Sequence, residues 1–196
     1  TPTYFGDIDH TIEDGERLVS TPSYTAYLKI AEGCDNRCSY CVIPYLRGRY
    51  RSRPMESLLE EARGLAESGV RELMVIAQDI TRYGTDLYGK RRLADLLRAL
   101  CRMDFHWIRL HYLYPDEIDQ ELIDVIAEES KIVKYLDIPI QHLSDKILRA
   151  MNRRGNGALI SDVISTLRED IPDLVLRTSI IVGFPGEGEE EFEELC

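Results

Sequence analysis

From Tyr24 onward the chain alternates short runs rich in Val, Ile, Leu and Tyr with longer stretches whose apolar residues recur every three or four positions. The first kind of run marks a buried strand and the second an amphipathic helix. Five strands are predicted, over Tyr27–Ala31, Glu72–Ala77, Trp107–Tyr112, Tyr135–Ile140 and Leu174–Val182. Between the first two, Leu58, Leu59, Ala62, Leu65 and Ala66 share a helical face, and Gly69 follows as a stop. The same spacing places Leu93, Leu96, Leu97, Leu100 and Cys101 on a second helix and Ile118, Leu122, Ile123 and Ile126 on a third. Leu159, Val163, Ile164 and Leu167 form a fourth, and a fifth begins near Glu189 with Phe192, Leu195 and Cys196 on one face. Regular βα alternation predicts an α/β fold with a parallel sheet, in the form of a partial, open βα barrel. At 196 residues the chain is too short for a complete eight-stranded barrel, which needs roughly 250.

Residues 1–23 break this rhythm. They are polar and turn-forming, with Asp7, Asp9, Glu13, Asp14 and Glu16, and read as a linker. The longest apolar runs, Leu73–Ala77 and Ile180–Phe184, are far below the roughly 20 residues that cross a bilayer, and no basic-then-apolar leader opens the chain. A soluble protein with no membrane partner is expected. The 24 basic and 35 acidic side chains give a net charge of −11, which disfavours polyanions, so no direct nucleic-acid binding is expected of this chain. Five cysteines, an odd number without a secretory signal, predict free thiols in a reducing, cytoplasmic compartment. Cys101 and Cys196, on apolar helix faces, are expected to be small buried hydrophobes.

In parallel βα folds the working residues gather where the strands end, because successive loops converge there. Here the five predicted strand ends deliver Gly33, Cys34, Cys38 and Cys41; Gln78 and Asp79; His111 and Tyr112–Pro115; Gln141 and His142; and the run Gly183-Phe184-Pro185-Gly186-Glu187. The spacing Cys34-x-x-x-Cys38-x-x-Cys41 puts three thiols within reach of one inorganic centre. A 4Fe-4S cluster held by three cysteines keeps one iron open to a substrate or cofactor. Structural zinc wants four ligands, and with no second cysteine pair the missing one falls to His142.

The loop Gly33-Cys34-Asp35-Asn36-Arg37-Cys38-Ser39-Tyr40-Cys41 resembles the cluster loop of radical S-adenosylmethionine enzymes. Cys41–Pro54 and Ile181–Glu187 are similar to the methylthiotransferase branch of that superfamily. Within the branch, Ala77–Gly89, Tyr112–Pro115 and Tyr135–His142 resemble the RimO-type enzymes, which modify an aspartate of a small-subunit ribosomal protein, more than the MiaB-type enzymes, which modify a transfer-RNA adenosine. The resemblance implies a radical SAM core, with five of about six βα units present and the C-terminal end cut short. It implies cluster ligation by Cys34, Cys38 and Cys41 and cleavage of S-adenosylmethionine to methylthiolate the aspartate β-carbon. It further implies a second 4Fe-4S cluster on an N-terminal domain to which residues 1–23 would lead, a ribosomal-protein substrate, and a flavodoxin or ferredoxin as electron donor.

Several residues carry expected contacts to the cofactor. Tyr40 should pack beside the adenine or the cluster, and Gln78 and Asp79 occupy the strand end that binds the amino group of the methionine part, although the superfamily's usual Gly-Gly-Glu is absent. Gln141 is a candidate for the pocket lining, and Gly183 and Gly186 would let the backbone approach a ribose or adenine. Arg177 is expected to face the interior and hold a carboxylate; facing helices, it would need an acidic partner. Arg47, Arg49, Arg51 and Arg53, alternating at period two, are read as one solvated face, or else as a contact surface for a substrate loop or neighbouring domain.

Overall fold

A computed structural model describes residues 8–9 and 20–196 of the chain, so most of the linker expected over residues 1–23 lies outside the described residues. The elements run β1 (Thr25–Lys29), β2 (Ala31–Glu32), α1 (Ile43–Arg47), β3 (Arg51–Ser52), α2 (Met55–Glu67), β4 (Glu72–Ile76), α3 (Thr85–Tyr88), α4 (Leu93–Cys101) and β5 (Trp107–His111). A 3-10 turn at Pro115–Glu117 follows, then α5 (Gln120–Glu128), β6 (Ile132–Asp137), α6 (Asp145–Ala150), α7 (Gly157–Asp170), β7 (Val175–Arg177) and α8 (Glu189–Leu195). Five strands form one parallel sheet in the order β1-β4-β5-β6-β7, and β2 pairs antiparallel with β3 beside it. The sheet is open, with β1 and β7 at its edges.

One face of the sheet is sealed. Ala26, Leu28, Leu73, Val75, Ile108, Leu110 and Leu136 are all fully buried. They meet the apolar stripes of the covering helices, including Leu58 and Ala62 of α2, Leu96 and Leu100 of α4, and Val125 and Ile126 of α5. At roughly 1.5–3 kcal/mol for each large apolar side chain removed from water, this layer carries the fold. Caps fix where two helices start: the Asp119 carboxylate accepts the Leu122 N–H at 3.0 Å, and the Asn156 amide oxygen accepts that of Leu159 at 2.8 Å. The opposite face is open, and the intervening residues Tyr27, Trp107 and Val175 are 41%, 49% and 55% exposed on it.

Several boundaries differ from the sequence reading. The first strand splits: it pairs with β4 only as far as Lys29, while Ala31 and Glu32 turn away to pair with Ser52 and Arg51. The fourth strand lies earlier than expected, because Pro139 has no N–H to continue the ladder. The fifth is three residues long, since the Thr178 hydroxyl takes the Ile140 N–H at 3.1 Å and donates to the Ile138 carbonyl at 2.8 Å, replacing the backbone pairing. Only an isolated bridge between Gln141 and Ile180 continues it. Among the described residues, no helix is long and apolar enough to cross a membrane.

Candidate functional site

The three clustered cysteines lie on the loop that leaves β2 at the C-terminal mouth of the sheet. Gly33 sets the loop's course: its φ is +78°, and a Cβ there would lie 2.0 Å from the Arg49 carbonyl oxygen. Cys34 and Cys38 are buried, Cys41 is partly exposed, and none is in a disulfide. The loop rests on buried polar struts. Asn36 donates to Asp79 at 3.3 Å, the Tyr50 hydroxyl donates to the Asp79 carbonyl at 2.9 Å, and the Tyr50 N–H donates to Asp35 at 3.2 Å.

Among the described residues, no three His, Cys, Asp or Glu side chains converge closely enough to share a metal ion. The donor set nevertheless fits an iron-sulfur centre: soft thiols on a single loop, with no fourth protein ligand among the described residues. Burial first, and then the negative charge of Asp79, Cys38 and Cys41, pushes the Cys34 thiol up to about 11. Thiolates on one short loop repel one another, and a cationic centre relieves that repulsion. The zinc alternative loses its fourth ligand. His142 is fully buried, its Nδ1 accepts the Ser144 N–H at 2.9 Å, and its Nε2 faces the Glu187 carboxylate at 3.5 Å. Both nitrogens are turned toward structural neighbours, so His142 joins the end of β6 to the Gly183–Glu187 loop.

Gln78 and Asp79 separate. Asp79 is sealed beneath the cluster loop, where its carboxylate also accepts the N–H and hydroxyl of Thr81. Burial, partly offset by the Thr81 bonds, lifts its carboxyl to about 6. Gln78 instead reaches a cavity of about 370 Å³ on the open face, lined with Tyr27, Lys29, Ile76, His111 and Tyr112 among others. Its Nε2 donates to Glu32 at 3.3 Å, while its buried Oε1 has no partner among the described residues. Glu32 also pairs with Lys29 at 2.7 Å, and Lys29 begins a row of residues that runs across this face. The register places Lys29 beside Ile76, Ile76 beside His111, and Asp137 beside Arg177.

Arg177 therefore lies on the open face as expected, yet it already donates to the Asp137 carboxylate. The facing direction and the acidic partner, posed as alternatives in the sequence, occur together because cross-strand neighbours in register share a face. His111 Nδ1 stands 4.0 Å from the same carboxylate, and burial is the leading cause that lowers its pKa. Gln141 adopts φ +70°, a left-handed conformation that costs a non-glycine residue about 1–3 kcal/mol, and its N–H donates to the Ser179 carbonyl at 2.9 Å. Gly183 and Gly186 have φ of +77° and +91° with open space where a Cβ would point, so the turn itself calls for glycine. Tyr40 is 41% exposed, beside Cys38 and Arg153, and burial of its hydroxyl raises its pKa.

Two expectations are corrected. Cys196 is exposed, since Phe192 on the same face of α8 is itself 37% exposed; Cys101 is buried as a core residue. The arginine run does not form one solvated face, because a helix and a hairpin interrupt it. Arg47 and Arg49 are exposed, but Arg53 is 8% exposed and bound to Glu61 at 2.6 Å, Ser57 at 3.1 Å and the Lys29 carbonyl at 3.1 Å. Sequence reasoning gave no individual role to Glu32, Asn36, Tyr114 and Arg153, all of which stand beside the thiol loop or the cavity. Tyr114 and Glu32 carried a signal, being polar residues at strand ends; Asn36 and Arg153 carried none that separated them from ordinary loop residues. A larger cavity of about 450 Å³, lined by Tyr24, Phe105 and Trp107 among others, opens at the opposite ends of the strands, away from every thiol of the loop.

Comparison with known proteins agrees with this geometry. The Radical SAM superfamily model matches residues 28–196. The chain is 57% identical over 183 residues to the ribosomal protein uS12 methylthiotransferase RimO of Acetivibrio thermocellus, covering 93% of this chain and 40% of that protein. It is 57% identical over 194 residues to the RimO of Geobacter sulfurreducens, covering 98% and 43%. The chain thus spans about two-fifths of the length of the curated relatives it matches. Among solved structures it is similar to the radical S-adenosylmethionine methyltransferase TsrM from Kitasatospora setae, with TM-score 0.72, 19% identity, and 92% of this chain and 36% of that one covered. It is also similar to the cobalamin-dependent S-adenosylmethionine radical enzyme OxsB, with TM-score 0.67, 12% identity, and 86% and 25% covered. At such identities the structures speak for the fold alone, but with the family match running from β1 to the last helix, the chain belongs to the radical SAM superfamily.

Proposed function

We propose that this chain is the cofactor-cleaving core of an enzyme that methylthiolates the β-carbon of an aspartate in ribosomal protein uS12. The observation that carries the reading is the trio of free thiols at one mouth of the sheet, in a chain 57% identical to uS12 methylthiotransferases. Cys34, Cys38 and Cys41 would hold a 4Fe-4S cluster, the centre that the superfamily uses together with S-adenosylmethionine. When bound, that cluster supplies one electron to S-adenosylmethionine and so provides the radical that takes hydrogen from an unactivated carbon. The chain's own residues orient and enclose. Asp79 and Asn36 hold the loop in place, and Gln78 presents a free acceptor to the cavity beside it. Tyr40, Gln141, Arg177, Gly183 and Gly186 are the remaining contacts expected for the cofactor.

The rest of the reaction needs more chain than these residues supply. Residues 1–23 would lead from an N-terminal domain bearing a second 4Fe-4S cluster, residues 24–196 being a core cut short at its C-terminal end. The electron donor would be a flavodoxin or ferredoxin, and the site of action the cytoplasm. Full-length protein, reconstituted anaerobically with iron and sulfide and given dithionite, S-adenosylmethionine and either uS12 or transfer RNA, tests the reading. Formation of 5'-deoxyadenosine with a methylthio mass increment on uS12 is expected. An increment on transfer RNA alone, or no cleavage of S-adenosylmethionine, overturns it.

A further inference from the structure

The cluster loop is gripped by the turn that follows α6. The Ser39 N–H donates to the Met151 carbonyl at 2.9 Å and its hydroxyl to that of Ala150 at 3.1 Å. Asn152 donates to the Arg37 carbonyl at 2.7 Å, and Arg154 to the Asn36 amide oxygen at 2.8 Å. Arg153, in the middle of this turn, is the exception to its pattern. It is 8% exposed, donates to the Pro139 carbonyl at 2.7 Å, and lies over the Tyr114 ring with Cζ 4.1 Å from the centroid. The Tyr114 hydroxyl in turn sits 3.0 Å from Cys38 Sγ.

Charge makes this arrangement informative. Arg154 pairs with Asp116 and Glu117, whereas Arg153 has no carboxylate partner among the described residues. A buried guanidinium with no carboxylate in contact, and with Asp116 acting only at longer range, is unfavourable, and a carbonyl and an aromatic face offset only part of that. Of the acidic groups beside it, the Tyr114 and Tyr40 hydroxyls and the Cys38 thiol, the thiol is the one that a bound cluster converts to an anion; the Tyr114 hydroxyl must then donate to the sulfur, because a thiolate has no proton to give. Cys34 has the opposite surroundings, the Asn36 carbonyl at 3.9 Å and the negative charge of Asp79.

We propose that Arg153 and Tyr114 tune the cluster ligated by Cys38, favouring its reduced state through a buried positive charge and a hydrogen bond to the ligand sulfur. The inference rests on the cluster reading above. Reduction adds one electron, taken from an external one-electron donor, with no bond made or broken. A nearby cation and a donor to sulfur both stabilise the added negative charge.

The test uses full-length protein reconstituted with iron and sulfide and poised with dithionite and mediator dyes at a fixed potential. The reduced fraction is read from the paramagnetic signal that changes when S-adenosylmethionine is added, which singles out this cluster. Arg153→Gln should lower the reduced-to-oxidised ratio about tenfold, which is ~59 mV for a one-electron couple. Tyr114→Phe should lower it about threefold, and Arg153→Lys should restore most of the wild-type ratio. Unchanged ratios in Arg153→Gln and Tyr114→Phe at wild-type iron content overturn the inference. If Arg153→Gln assembles no cluster, Tyr114→Phe decides alone, since it removes a single oxygen and keeps the ring. Wild-type protein that stays colourless after reconstitution overturns the cluster reading itself, a result distinct from an unshifted ratio.

Discussion

Asp79 links the stability of the cluster loop's foundation to pH, and substituting it by asparagine tests that link. Its carboxyl rises from 3.8 to about 6, mainly through burial. A carboxyl whose folded pKa lies above its unfolded value holds its proton more tightly in the native state. Its contribution therefore declines as pH rises from the unfolded pKa to the folded one. Two units at about 1.4 kcal/mol each make that penalty about 3 kcal/mol, absent below pH 4 and complete above pH 6–7. Asp79→Asn removes the titration but loses an acceptor. Arg154 holds the Asn36 oxygen at 2.8 Å, so Asn36 must point its NH2 at position 79. The introduced amide keeps both Thr81 bonds by turning its one oxygen there, and loses the Asn36 bond, worth about 1 kcal/mol. The variant should be more stable than wild type by about 2 kcal/mol at pH 7 and less stable by about 1 kcal/mol at pH 4. Urea unfolding at a series of pH values measures both, and subtracting the two curves cancels every other titrating group. Parallel curves over this range would refute the reasoning.

Gly33→Ala should destabilise the fold by more than about 2 kcal/mol in urea, since both a left-handed φ and a Cβ 2.0 Å from the Arg49 carbonyl oppose it; an unchanged midpoint would show that the loop has another course available. Removing Cys34, Cys38 or Cys41 by alanine substitution should each cost most of the iron and sulfide taken up on reconstitution. Cys101→Ala should cost none, because that thiol is buried in the core and raised to about 12, chiefly by burial; equal losses at all four positions would contradict the assignment. Arg177→Gln should raise the pKa of His111, because it removes a like charge and leaves the Asp137 carboxylate to the imidazole. A nuclear magnetic resonance titration of that ring in both proteins reads the change, and coincident curves would argue against a shared carboxylate.

The sheet was legible because its inner layer is written in two periods at once. Leu73 and Val75 alternate with partly buried neighbours along β4, while Leu93, Leu96, Leu97 and Leu100 recur at helical spacing opposite them. Where that double signal fades, the reading fails. Leu174–Val182 has a strand's composition, yet nothing in composition reveals that the Thr178 hydroxyl intercepts the Ile140 N–H. The cysteine loop was legible from local spacing. Its foundations were not, because Asn36 reaches Asp79 across 43 positions and Asn152 reaches Arg37 across 115. Arg53 misled for the same reason: its alternation with Arg51 is local, while its burial depends on Glu61, which only the folding of α2 brings back to it.

The electrostatics of the open face follow from pairing that no sequence window contains. Each of its cations is already matched: Lys29 with Glu32 at 2.7 Å, Arg109 with Glu72 at 2.8 Å, and Arg177 with Asp137. An arriving carboxylate meets no free positive charge among these three and must displace an existing partner. For Arg177 that exchange would leave Asp137, whose side chain is 3% exposed, without its cation, a change compensated only if His111 takes a proton. The unmet needs of this face are of the other kind. Gln78 Oε1 and Asp137 Oδ1 are buried acceptors without donors among the described residues. A buried acceptor left unpaired costs about 1–3 kcal/mol. A ligand that brings N–H or O–H groups to these two oxygens therefore relieves a penalty the fold carries on its own, whereas one that brings only an anion must first break an ion pair. The open face is built to receive donors, and Arg177 serves it first by holding Asp137 in place.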